Sequence, residues 1–277
     1  QVPLDYFILG KMEEAGFLPT QRANRRTLVR RAYLDLHGLP PATGQLQSFL
    51  KDDRPDAWKI LVDELLASPR YGERWGRHWL DVARYAESSG KEANLAYPHA
   101  WRYRDYVIDS FNADKPYNQF IREQLAGDLL LQPTQRQIIA TGYNRLNKTT
   151  EEGGAQPGEY LTKYAADRVR TTAGTWLGLT LGCCECHDHK YDPFTTKDFY
   201  RFVACFADIE EKGVYGGSKR DPEIKVATAP QAKKLAELEI QLTLLQAQLK
   251  DTQGEAIQKQ IDGIKAQQTT IEKQFVR

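Results

Sequence analysis

The sequence predicts an all-α protein, and three observations carry that prediction. Apolar residues recur at three-and-four spacing in one segment after another. No convincing run of β-branched alternation appears. The helical segments are punctuated by proline, glycine and short polar clusters that stop them. The 277 residues, 41% of them hydrophobic, suffice for one large domain or two small ones with a buried core. Charged residues make up 27% but nearly cancel, at a formal net charge of +1, so no global field recruits nucleic acid or an anionic membrane. No apolar run is long enough to span a membrane.

Taken in order, Leu4 to Phe17 reads as a first helix with Phe7, Ile8, Met12 and Phe17 on its apolar side. A second, about Arg22 to Leu36, interleaves Arg25, Arg26, Arg30 and Arg31 with Leu28, Val29, Tyr33 and Leu34, and stops at Gly38-Leu39-Pro40-Pro41. The arginines read as a solvated face before they read as an anion site. Thr43 to Leu50 and Asp56 to Ala67 give two short scaffold helices.

Ser68-Pro69 then opens a helix through Tyr85 in which Trp75, His78, Trp79 and Val82 fall at three-and-four spacing. That places His78 on the expected buried stripe, either as a core histidine with a polar partner or as a ligand. Glu87 to Pro98 reads as a loop. The next helix, starting at Pro98, carries Trp101, Arg102, Tyr103, Arg104 and Asp105, a mixture suited to anion binding or to plain ion pairing. Helices from Tyr117 to about Leu131 and from Thr134 to Arg145 follow. The polar stretch from Asn147 to Gly158 reads as a lid or site edge. A helix from Tyr160 to Leu181, rich in small residues near its end, is expected to run straight into Cys183.

There the chain spells Cys183-Cys184-Glu185-Cys186-His187, a C-x-x-C-H arrangement. In that pattern two thiols form thioethers to the vinyl groups of a haem and the adjacent imidazole ligates the iron. One covalent haem c, with Cys183 and Cys186 as attachment points and His187 as proximal ligand, is the favoured reading. Competing readings are a zinc knuckle using Cys183, Cys186, His189 and one further ligand, a C-x-x-C redox pair, and ordinary buried cysteines. Cys184 and Cys205 are left without a role. Thr196 to Phe206 is a final aromatic helix, able to cover a porphyrin or to serve as core.

Residues 213–228, with Gly213, Gly216, Gly217 and Pro222, read as a linker. Beyond it Leu235, Leu238, Leu242, Leu245 and Leu249, then Ile257, Ile261, Ile264, Ile271 and Phe275, predict an antiparallel coiled-coil hairpin that breaks at Asp251-Thr252-Gln253-Gly254. The expected organisation is a haem domain over 1–212, the linker, and the hairpin over 229–277 as a spacer or docking arm.

Several separated motifs together resemble the planctomycete-type cytochrome c-like domain. They are Arg25-Arg26-Thr27-Leu28 with Leu36-His37-Gly38-Leu39-Pro40-Pro41, Ser68 to Trp75 with His78-Trp79-Leu80-Asp81, Trp101 to Asp105, Gln124 to Asp128, and Cys183 to Pro193. The resemblance covers about Leu4 to Asp208. It implies an exported haem domain of largely unknown function, usually followed by a second domain. The expected function is therefore that of a mono-haem c-type protein of the bacterial cell envelope, periplasmic or exported. The expected partner in electron transfer or redox catalysis is a second domain or chain of the same system, docking through the 229–277 hairpin. No methionine or histidine follows His189, so the distal face falls to upstream residues, with His78 as the candidate iron ligand. One alternative is a haem enzyme with an open distal site, acting on a small or carbohydrate-like substrate through Arg84, Tyr85, Arg102 and Tyr103 beside His78. The other is a non-redox binding module with a structural haem or zinc.

Overall fold

The computed structural model describes residues 3–91, 94–217, 224, 226–252 and 255–275. Among these the protein is all-helical, with twelve α-helices, no strand and two isolated β-bridges. It divides into two compact units, Gln1–Glu87 with Pro98–Leu146, and Ser88–Tyr97 with Asn147–Arg277. The hairpin belongs with the segment that carries Cys183.

The first unit begins with α1 (Pro3–Glu14), which buries no residue. Phe7, Ile8 and Phe17, placed by periodicity on the apolar side of this segment, are exposed. α2 (Arg25–His37) is capped by Asn24, whose side chain accepts from Thr27 N at 2.9 Å, and ends at Gly38 with φ 74°. With α3 (Thr43–Lys51) and α4 (Ala57–Leu66) it closes a small core of Val29, Ala32, Tyr33, Phe49, Leu61 and Leu65. Arg25 donates to the Phe49 and Asp52 carbonyls at 2.5 and 2.6 Å, so this guanidinium satisfies the open end of α3.

α5 (Pro69–Val82) packs along α6 (Trp101–Asn112). Periodicity assigned the contact to Trp75, His78, Trp79 and Val82, and the structure corrects it. The buried positions are Gly72, Gly76 and Ala83, while Trp75, His78 and Val82 are exposed. Glycine decides this. A Cβ on Gly72 would lie 2.4 Å from the Ile108 carbonyl oxygen, and Gly72 N donates to Asn112 Oδ1 at 2.8 Å. Two backbones that approach this closely leave no room for the large residues, which turn outward. α5 stops at Val82 rather than Tyr85, because Arg84 takes a left-handed φ of 61°.

α7 (Tyr117–Ala126) and α8 (Gln135–Ala140) complete the unit. Their interior is polar and paired. Glu123, 2% exposed, accepts from Lys115, from Tyr106 Oη at 2.8 Å and from Gln119 Nε2 at 2.8 Å. Burial pushes its pKa upward, but these donors outweigh it and hold the carboxyl below its ordinary value. Tyr103 Oη donates to Gln124 Oε1 at 2.5 Å, and Trp79 Nε1 donates to the same oxygen at 3.0 Å.

In the second unit α9 (Pro157–Thr172) gives way to a wide π turn at Ala173–Leu177 and ends at Gly178, φ 65°. The expected unbroken helix into Cys183 is therefore interrupted. α10 (Thr196–Ala204) begins with a capping box between Thr195 and Asp198. Ala166, Val169, Ala173, Leu181, Cys184 and Phe199 form the core between α9 and α10. Arg168 and Glu211, both nearly fully buried, meet in a bidentate pair at 2.6 Å on each arm.

Two segments read as loop and linker are partly built into this unit. Thr150 is fully buried and bridges Val214, and Tyr164 Oη accepts from Thr150 N at 3.0 Å while donating to the Gly213 carbonyl at 2.9 Å. Burial pushes the Tyr164 pKa up to about 12. Gly213 packs on the Pro157 backbone, and Tyr215 and Val226 are buried, so the stretch from Gly213 to Tyr215 is core rather than linker. The rest of the linker assignment falls largely on 218–223 and 225, outside the described residues. α11 (Ala229–Thr252) and α12 (Glu255–Lys273) pack together over Leu238, Leu242 and Ile261. Gln231 to Gln274 and Gln268 to Glu239 hydrogen bonds make the pair antiparallel. The turn expected at Asp251 to Gly254 lies in part on 253–254, outside the described residues.

Candidate functional site

The Cys183 segment is a single tight turn held from behind. Leu181 to Glu185 form one short 3₁₀ stretch, and the Cys183 carbonyl accepts from both Cys186 N and His187 N at 3.2 Å. This curl brings Cys183, Cys186 and His187, all exposed, onto successive positions of one turn. The residue between the thiols does the anchoring. Cys184 has no exposed surface, packs with Val169 and Phe199, and its Sγ lies 3.5 Å from the Phe194 carbonyl. Burial pushes this thiol's pKa up, so it stays protonated and inert, whereas Cys183 and Cys186 are free cysteines open to solvent.

The flanks fix the turn further. Arg170 pairs with the Glu185 carboxylate, and Tyr200 Oη donates to the Glu185 carbonyl at 3.1 Å. Asp188 Oδ1 accepts from Thr196 N at 2.8 Å at the start of α10.

Two histidines two residues apart are prepared for different work. His187 Nδ1 lies 2.8 Å from the Asp188 carbonyl, which can only accept. The proton therefore sits on Nδ1, and Nε2 carries an unshared pair with no hydrogen-bond partner among the described residues. His189 is the reverse. Its Nδ1 accepts from Tyr191 N at 3.2 Å and Asp192 N at 2.8 Å, and its own backbone N donates to the Phe194 carbonyl at 2.8 Å. The His189 proton then sits on Nε2, 3.5 Å from Thr180 Oγ1, so neither nitrogen offers a lone pair to a metal. His189 is a turn-holding residue, a role that its place in the motif does not reveal. No group of three or more His, Cys, Asp or Glu side chains with metal-holding geometry occurs among the described residues.

Donor chemistry therefore fits a haem c better than it fits the zinc set. Two thiols stand exposed one turn apart, and the adjacent imidazole has the tautomer a ligating histidine needs. Leu177, Tyr191 and Tyr200, in the flanking segments, are exposed by half or more. These are the kinds of side chain that a flat apolar ring covers.

The other candidates lie in the first unit. His78 is exposed, with its ring edge against Trp75 at 5.5 Å between centroids and no hydrogen bond to a described residue. The water-excluding pocket expected around it is absent, since Trp75 and Val82 are exposed too. Tyr85 lines a shallow groove with Glu73, Arg77, Leu80, Asp81, Arg104 and Ile108, directly after the strained Arg84. Tyr85 Oη donates to Glu87 at 2.8 Å, and Arg104 pairs with Glu87 at 2.8 Å and Asp105 at 3.0 Å. Arg102 stacks on Trp101 at 4.6 Å. Tyr103 is buried beneath this surface at 4% exposure, which sets it apart from the side chains able to meet a substrate directly.

No curated protein and no solved structure matches the chain. A family model does match it, over residues 3–211, nearly the extent over which the sequence motifs resemble the planctomycete-type domain. With three quarters of its length covered by that match, the chain belongs to the family described as PSCyt2, a protein of unknown function (DUF1549).

Proposed function

We propose that this protein is a c-type mono-haem protein in which Cys183 and Cys186 form thioethers to one haem and His187 Nε2 ligates its iron. One observation carries the reading: the His187 ring is polarised by the Asp188 carbonyl on a turn that exposes two thiols and buries the third. The haem, when bound, supplies one-electron chemistry. The chain's residues supply attachment, the orientation of His187 and, through Leu177, Tyr191 and Tyr200, apolar cover. Electron transfer or redox catalysis with a partner domain or chain, in the periplasm or another exported location of a bacterium, completes the reading.

Intact-mass measurement on acid-extracted, denatured protein tests it. The expected result is a polypeptide that retains the haem mass, while a bare polypeptide, or one that yields only zinc on digestion, refutes it. Partner docking through the hairpin belongs to the same proposal. Deleting residues 229–277 is expected to leave haem attachment intact and to weaken association with the partner.

A further inference from the structure

Three tyrosine rings in the first unit stand in series. Tyr85 and Tyr103 have centroids 6.2 Å apart with planes tilted by 29°, and Tyr103 and Tyr106 stand 6.4 Å apart at 25°. Tyr85 opens onto the groove, whereas Tyr103 and Tyr106 are buried, at 4% and 2% exposure. Aromatic packing alone accounts for the stack but not for what the hydroxyls touch. The two end tyrosines each donate to a carboxylate, Tyr85 to Glu87 and Tyr106 to Glu123, both at 2.8 Å. The middle one donates to an amide oxygen, Gln124 Oε1.

That alternation matters because a phenol gives up an electron near neutral pH only if its proton leaves at the same time. A carboxylate 2.8 Å away can take the proton. An amide oxygen is too weak a base. Keeping Glu123 ionised in the interior carries a desolvation penalty, offset here by Lys115, Gln119 and the Tyr106 hydroxyl itself. Phenylalanine at 106 with an apolar residue at 123 would fill the same space without that cost.

We propose that Tyr106 is a redox-active residue that stores one oxidising equivalent, delivered at the surface through Tyr85 and across the Tyr103 ring. A one-electron oxidant of the high-potential metal-complex class takes an electron from Tyr85, and the phenolic proton passes to Glu87. An electron from Tyr106 then refills Tyr85 by way of Tyr103. Glu87 returns its proton to Tyr85, and Tyr106 gives its own proton to Glu123. The net change is a neutral radical at Tyr106, a protonated Glu123 and a reduced oxidant. Nothing in this chain of transfers depends on the Cys183 turn.

The test uses the full chain and photogenerated tris(bipyridine)ruthenium(III) as the oxidant, read by electron paramagnetic resonance and transient absorption. The parent protein is expected to show a persistent tyrosyl signal that Tyr106→Phe abolishes. Glu123→Gln, which removes the base, should lower its yield by roughly tenfold, the equivalent of one lost hydrogen bond to a charged group. Tyr85→Phe and the surface variant Glu87→Gln should slow its appearance while leaving the final spectrum unchanged, and both keep the interior as it is. A persistent signal undiminished in Tyr106→Phe overturns the proposal. So does oxidation confined to exposed Tyr6, Tyr117, Tyr191 and Tyr200, detected as dityrosine by mass spectrometry.

Discussion

The Cys183 turn and the Trp75–His78 face of α5 look alike as text: each packs histidine, aromatic and charged residues into a dozen positions. In the protein they differ in what holds the side chains. Around Cys183 the turn is tied to backbone at several points, through Cys183 to Cys186 and His187, Asp188 to Thr196, and His189 to Tyr191 and Asp192. On α5 the outward stripe of Tyr71, Trp75 and His78 is joined by ring contacts at 6.2 and 5.5 Å and by one hydrogen bond, from Trp75 Nε1 to the Asp35 carbonyl at 3.2 Å. A segment fixed by hydrogen bonds to its own backbone has a built geometry. A helix face left over by packing has only a composition.

The sharpest way to break that comparison is chemical. Replacing Cys183 and Cys186 by serine is expected to remove all covalently held haem mass, whereas Cys184→Ser keeps the attachment and loses roughly 1–3 kcal/mol of stability by placing a hydroxyl in an apolar core. A denaturant melt beside the mass spectrum separates the two outcomes.

Next in size is the frame behind the turn. Arg168→Met leaves Glu211 buried without its partner and is expected to cost about 3–5 kcal/mol, read as a lowered denaturation midpoint. Gly76→Leu drives a side chain into Ile108, whose Cγ1 already lies 3.2 Å from where a Cβ would stand, and should cost roughly 1–3 kcal/mol. By contrast Val82→Ser, on the exposed stripe, should stay within about 0.5 kcal/mol of the parent. If Val82→Ser costs as much as Gly76→Leu, the outward stripe is packed after all.

Acid resolves the comparison in another way. Because the Glu123 pKa is depressed in the folded protein, its contribution is fully present above the unfolded value, about 4.3, and is lost as pH falls through the lower folded value. Melting temperature should therefore fall on acidification in the parent, and fall less steeply in Glu123→Gln. The smallest effect expected is from His78→Ala on the exposed face of α5, which should leave the melting temperature unchanged; a lowered one would show that this face is packed.

Much of this was legible from residue pattern. Helix starts at Ser68 and Thr134 stand where the pattern put them, the antiparallel hairpin follows its leucine and isoleucine spacing, and the Asn24 cap starts α2 at Arg25 rather than about Arg22. Errors arose where a rule that counts large apolar residues met a small one. Gly72 and Gly76 rotated α5 by about one residue, and Gly178 ended the helix expected to reach Cys183. Thr150 and Tyr215 looked like loop and linker because their partners, Val214 and the Lys212 backbone, are close to one of them only in space or too local to show as periodicity. The tautomers of His187 and His189 had no sequence signal at all, since each is set by which backbone group curls back to the ring.

The burial of Cys184 has a consequence for how the thiols can be oxidised before anything is attached to them. Three cysteines within four positions allow three pairings, and an unfolded chain offers all of them to an oxidant. Once Phe199 and Val169 close over the middle sulfur, the motif presents only Cys183 and Cys186. Folding thus acts as an editor: it withdraws the thiol that would compete, and leaves whatever reacts next a single pair to find.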